Sequence, residues 1–181
     1  MLFRSLFAIL LSLFLVLGVA AAETTEEMKE EVMNWEDVSE IAASIEGDFV
    51  SFEEFGLNMY LPSSFSAVEV TEEQKAAGMV YLLSSEELGG ALSIAYQSLG
   101  DMDFDAYLNS LKEAGATEFE KDTVNGLTAL SYELVSNGQK TGSLVFGTEE
   151  NNIITFCFWP IDNENFKLAA AVMGASINAG E

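Results

Sequence analysis

The second half of this chain is punctuated by turn signals that leave it few folds to adopt. Asn125-Gly126, Asn137-Gly138 and the polar run Glu149-Glu150-Asn151-Asn152 separate four β-type runs: Thr117 to Thr123, Leu127 to Val135, Thr141 to Thr148 and Ile153 to Trp159. Asn-Gly between apolar runs is a strong hairpin signal, because both residues tolerate the positive φ of a tight turn. An antiparallel meander is the expected product. Its last run, Ile153-Ile154-Thr155-Phe156-Cys157-Phe158-Trp159, is almost continuously apolar rather than alternating, which predicts a central strand covered on both faces.

Helical patterns flank the meander and supply those covers. Phe104, Tyr107, Leu108 and Leu111 recur at helical spacing after Asp101-Met102-Asp103, with a stop near Gly115. Asp162 or Asn163 can cap a final helix that carries Phe166, Ala169, Ala170, Met173 and Ile177 on one face. Earlier, Phe49 to Glu54 and Leu57 to Leu61 read as strands broken by Pro62-Ser63-Ser64, and Met79 to Ser84 and Ala91 to Gln97 read as two more. The acidic stretch from Glu69 to Gly78 reads as a short helical turn or loop. The order predicts an α+β fold: an antiparallel sheet of about six to eight strands sandwiched between helices in an α/β/α arrangement.

The N-terminus carries a different message. Arg4 precedes an apolar run from Leu6 to Leu17 and an Ala20-Ala21-Ala22 end, the pattern of a secretory signal peptide over residues 1–22. That run is shorter than the roughly 18 residues a bilayer span needs, and no cysteine follows it for acylation. The expectation is cleavage after Ala22, no stable membrane anchor thereafter, and a secreted or periplasmic protein. From Thr24, a capping-box pattern with Glu27 and the stripe Met28, Val32, Trp35, Val38, Ala42 and Ile45 predict an acidic amphipathic helix over 23–47. Residues 48–181 are then expected to form one α+β domain, an ordinary length for a single core.

Charge and composition exclude more than they assign. The sequence has 30 acidic and 7 basic residues, a formal net charge of −23, and no histidine. Such a surface repels nucleic acid and anionic lipid. Without histidine, Ser-His-Asp and Cys-His nucleophilic schemes and histidine-bound zinc are excluded. No nucleotide-loop or hydrolase-elbow string occurs either. Cys157 is the only cysteine, so no internal disulfide is possible, and its apolar strand marks it as a core residue rather than a nucleophile.

Asp101, Asp103 and Asp105 resemble the start of an EF-hand loop, but Ala106 stands where the turn glycine belongs and Lys112 where the bidentate ligand belongs. Helix capping accounts for these acids. No catalytic, cofactor-binding or metal residue is therefore nominated, and no cofactor is implied. Trp35, Trp159 and Tyr60 are the aromatics to inspect for a binding face.

The string Phe55-Gly56-Leu57-Asn58-Met59-Tyr60-Leu61-Pro62-Ser63-Ser64-Phe65 resembles the opening hairpin of PsbP-like domains, in which Phe-Gly and an apolar strand lead to proline and then an aromatic. The later helix, hairpin series and C-terminal helix are similar to that superfamily's order over about residues 49–178. The resemblance implies the α/β/α fold and a non-catalytic role, since its members include a photosystem accessory subunit, a Ran-binding protein and secreted bacterial domains. The leading functional expectation is a secreted, acidic, non-catalytic domain that binds a protein, cell-wall or small-molecule partner. One alternative is weak Ca²⁺ binding through surface carboxylates such as Asp101, Asp103 and Asp105. A second is a carboxylate-dependent glycosidase, which would need a cleft holding two carboxyls roughly 5 to 9.5 Å apart.

Overall fold

The computed structural model describes residues 28–136 and 138–180. The signal peptide expected over residues 1–22 lies outside them. Eleven strands and four helices follow in the order β1 (Lys29–Met33), α1 (Trp35–Ala42), β2 (Gly47–Phe52), β3 (Leu57–Pro62), β4 (Ser66–Ala67), α2 (Glu72–Ala76), β5 (Met79–Ser85), β6 (Gly90–Ser98), α3 (Phe104–Glu113), β7 (Thr117–Val124), β8 (Leu127–Ser136), β9 (Gln139–Gly147), β10 (Asn152–Trp159), α4 (Glu164–Ser176) and β11 (Asn178–Ala179). The main sheet has eight strands in the order β1-β7-β8-β9-β10-β6-β5-β4, and β11-β3-β2 form a second, small sheet. The architecture is α+β, as the element pattern predicts.

Strand β10 is central, pairing antiparallel with β9 on one side and β6 on the other. Its alternate residues serve two cores. Ile154, Phe156 and Phe158 join Phe166, Ala169 and Met173 of α4 and Leu57 and Met59 of β3 in one apolar cluster. On the opposite face Ile153 joins Tyr107 and Leu111 of α3, while Trp159 packs with Met79 and Leu82 of β5. This double burial explains the unbroken apolar run. Each such side chain contributes about 1.5 to 3 kcal/mol when fully withdrawn from water.

Two features depart from the sequence reading. Of the helix expected over 23–47, residues 23–27 lie outside the described residues, and among the described ones it is formed only from Trp35 to Ala42; Lys29–Met33 is instead an edge strand that pairs parallel with β7, Met33 opposite Val124. Tertiary pairing overrides the helical spacing here. Pairing with β7 satisfies the strand's backbone groups as well as a helix would, and it sets Met33 against the main core. Consequently Lys29–Met33 contributes an edge strand to the main sheet, which is mixed, not purely antiparallel. The second departure concerns β2 and β3, which leave the main sheet to form a separate layer with β11 on the α4 side.

The Asn125-Gly126 turn holds these parts together. Both residues have positive φ, 46° and 84°. The Asn125 side chain accepts a hydrogen bond from the Trp35 amide at 2.8 Å and donates to the carbonyls of Ala175 and Ile177, each at 2.8 Å. One residue thus joins the β7–β8 hairpin, the start of α1 and the end of α4.

Candidate functional site

A cleft of about 490 Å³ opens between α4 and the β1-β7-β8-β9 side of the main sheet. Helix α4 presents short side chains to it, Ala170, Ala171 and Ala175, which leave open volume against the sheet. At Gly174 the helix approaches closely: a Cβ there would stand 3.0 Å from the Leu144 side chain. Across the cleft, alternate residues of neighbouring strands point the same way. Glu31 and Met33 come from β1, Glu120 and Asp122 from β7, Ser131 and Glu133 from β8, and Lys140 from β9. Of the ionisable residues lining the cleft, five are carboxylates and two are lysines.

The floor of the cleft follows from register. Parallel pairing of β1 with β7 sets Glu31 opposite Asp122 and Lys29 opposite Glu120, while the two-residue strand period puts Glu120 and Asp122 on one face. One carboxylate oxygen from each of Glu31, Glu120 and Asp122 lies within 4.8 Å of the others. Asp122 is 2% exposed, and its Oδ1 has no hydrogen-bond partner. Burial raises its carboxyl above the usual aspartate range; a hydrogen bond from Ser131 opposes this, and the charges of Glu120 and Glu31 reinforce it. Lys29 stands 3.8 Å from Glu120 but is largely solvent-exposed, and Lys140 is paired with Glu133.

The other face of the sheet has a smaller cavity of about 60 Å³ beside α3, lined by Tyr107, Tyr132, Thr141, Ser143, Thr155 and Cys157 among others. The accessible part of Cys157 belongs to this cavity. Burial pushes its thiol up to about 11, against hydrogen bonds with Ser143 and Thr141 that pull it down, so the group is a neutral thiol near pH 7. The core role read from the sequence fits this setting.

Asp101, Asp103 and Asp105 do not converge on a cation. Asp103 caps α3, its Oδ1 accepting from the Ala106 amide at 2.8 Å, and among the described residues Glu31, Glu120 and Asp122 form the one group of carboxylates arranged to share an ion. The aromatics divide. Trp159 is core, whereas Trp35 and Tyr60 pack edge-to-face against the half-exposed Phe49 at centroid separations of 5.1 and 5.7 Å, and tilted against each other at 5.4 Å. Sequence reasoning missed the cleft acids because the Glu31 segment reads as helix. The available signal was Glu120-x-Asp122, two acids at strand spacing in a run otherwise short of apolar residues.

The layered sheet, with α4 and a small sheet on one face and α3 on the other, has a PsbP-like fold. The solution structure of the cyanobacterial PsbP protein CyanoP from Synechocystis superposes with a TM-score of 0.53 at 14% identity, over 75% of this chain and 93% of that one. LpqN of Mycobacterium tuberculosis, described as involved in cell envelope biogenesis, matches with a TM-score of 0.43 at 13% identity, over 76% of this chain and 92% of its own. A Ran-binding protein of Saccharomyces cerevisiae matches with a TM-score of 0.43 at 12% identity, over 75% and 96%. No protein-family model and no curated protein sequence matches the chain. Among the described residues no helix is long and apolar enough to cross a membrane.

Proposed function

We propose that this chain is an exported, non-catalytic binding domain whose α4 cleft takes a ligand or partner group that carries positive charge. The observation that carries the reading is the cleft floor, where the carboxylate of Asp122 is buried with an unpartnered oxygen beside Glu31 and Glu120. A buried anion of this kind is costly unless something of opposite charge meets it. One oxygen from each of these three carboxylates lies within 4.8 Å of the others, so a single positive group can meet all three. Export rests on the N-terminal sequence pattern, and the non-catalytic reading on the missing histidine and nucleophile motifs.

The test is an amide NMR titration at constant ionic strength with spermidine and, separately, with a neutral diol of similar length. Spermidine is expected to shift Met33, Leu144, Ile161 and Ala170 along the cleft, and the diol to shift none of them. Shifts spread evenly over the acidic surface would instead show simple charge attraction and sink the reading. Export is checked by the N-terminal sequence of the mature protein, expected to begin at Glu23.

A further inference from the structure

The three carboxylates of the cleft floor meet a stricter geometric condition than attraction of positive charge requires. In hard-cation sites each carboxylate oxygen stands about 2.3 to 2.6 Å from the ion, so two oxygens on one ion are at most about 5 Å apart. The oxygens of Glu31, Glu120 and Asp122 satisfy that condition pairwise, all lying within 4.8 Å. Two neighbouring strands supply them: Glu31 from β1, and Glu120 and Asp122 two residues apart on β7. A second observation is independent of their number. Asp122 is 2% exposed, lines the cleft, and offers an Oδ1 that no group of the protein satisfies. Buried polar oxygens without partners are rare, and each calls for an explanation in terms of a ligand or a role.

We propose that Glu31, Glu120 and Asp122 bind a hard divalent cation of the Ca²⁺ or Mn²⁺ type at the base of the α4 cleft. The inference rests on the cleft being the binding site and names the positive charge it takes. The donor set selects the ion class. All three ligands are carboxylate oxygens, the sequence has no histidine, and its one cysteine faces the opposite side of the sheet, so ions that prefer nitrogen or sulfur are disfavoured. Glu31 is exposed and Glu120 half-buried, so the ion can enter from solvent and keep water on its outer side. Neighbouring charges permit this. Lys140 is held by Glu133, and Lys29 is exposed enough to swing away from Glu120.

The experiment is a titration of the labelled full chain with MnCl₂, read by paramagnetic broadening of amides, followed by displacement with CaCl₂ at fixed ionic strength. The expected result is saturable broadening centred on Glu31, Glu120 and Asp122 that Ca²⁺ reverses. Asp122→Asn, which keeps the shape of the side chain, is expected to weaken binding roughly tenfold or more, since ligand charge sets affinity in such sites. Glu31→Gln at an exposed position should act in the same direction with the fold intact, and Asp101→Asn should change nothing. Broadening scattered over the acidic surface, or equal affinity in Asp122→Asn and Glu31→Gln, overturns the inference. Spermidine shifts confined to the cleft without any Mn²⁺ site would overturn the cation and leave the cleft reading standing; loss of both would remove both.

Discussion

Asn125 shows how much a single turn residue carries. Its positive φ suits asparagine or glycine, but only asparagine can also accept from the Trp35 amide and donate to the Ala175 and Ile177 carbonyls. Replacement by glycine keeps the turn and deletes all three bonds. At about 1 kcal/mol per hydrogen bond, Asn125→Gly is expected to lower unfolding free energy by roughly 2 to 4 kcal/mol in denaturant titration, and a loss under about 0.5 kcal/mol would show that the side chain is dispensable. The turn itself was legible as Asn-Gly. The three partners, distant in sequence, were not, because no local pattern encodes what a side chain meets after the chain has closed on itself.

At the scale of elements, capping and close packing separate structural acids from candidate ligands. Asp103 accepts from the Ala106 amide at the start of α3, so Asp103→Ala is expected to cost about 1 kcal/mol, while Asp101→Ala stays within about 0.5 kcal/mol in the same urea titration. Equal effects would mean that Asp103 acts through its charge near the helix N-terminus rather than as a cap. Strand β6 touches α4 at Gly90, where a Cβ would fall 2.0 Å from the buried Phe166 ring. Gly90→Ala therefore forces the helix or the ring to move; a loss of about 1 to 3 kcal/mol or more in melting experiments is expected, and a neutral result would show that α4 floats freely on the sheet. Helices α3 and α4 and the four strands of the meander were readable from periodicity and turn residues. Strand β1 was not, since Met28, Val32 and Trp35 fit a helical stripe equally well until β7 offers its edge.

For the molecule as a whole, the stacked layers bury hydroxyls as well as apolar groups. Tyr107 is 4% exposed between α3 and the sheet, and burial pushes its hydroxyl up to about 12, against hydrogen bonds with Thr155 and Tyr132. Burial also raises Tyr132, which sits beside Tyr107 and Cys157. The folded state therefore holds these protons where the unfolded chain releases them. The associated stability is complete below the ordinary tyrosine value of 10.0 and is lost as pH rises from there toward about 12. Melting temperature should fall steeply across that interval, and less steeply in Tyr107→Phe; parallel curves for the two proteins would contradict the assignment. Both tyrosines lie on the sheet face opposite the candidate cation site, so this alkaline transition is separate from any metal effect.

Composition and local pattern by themselves determined the fold class, the meander, the central position of β10 and the absence of histidine chemistry. Those properties reside in residue types and short spacings, which hairpin turns and two-faced burial translate directly into structure. Only the tertiary structure decided that Lys29–Met33 is a strand, that β2 and β3 form their own layer, and that Glu31 meets Glu120 and Asp122. The physical reason is sequence separation. Glu31 and Asp122 become neighbours through a parallel pairing between distant segments, and parallel register is set by what the rest of the domain leaves exposed at the sheet edge rather than by any turn between the two strands.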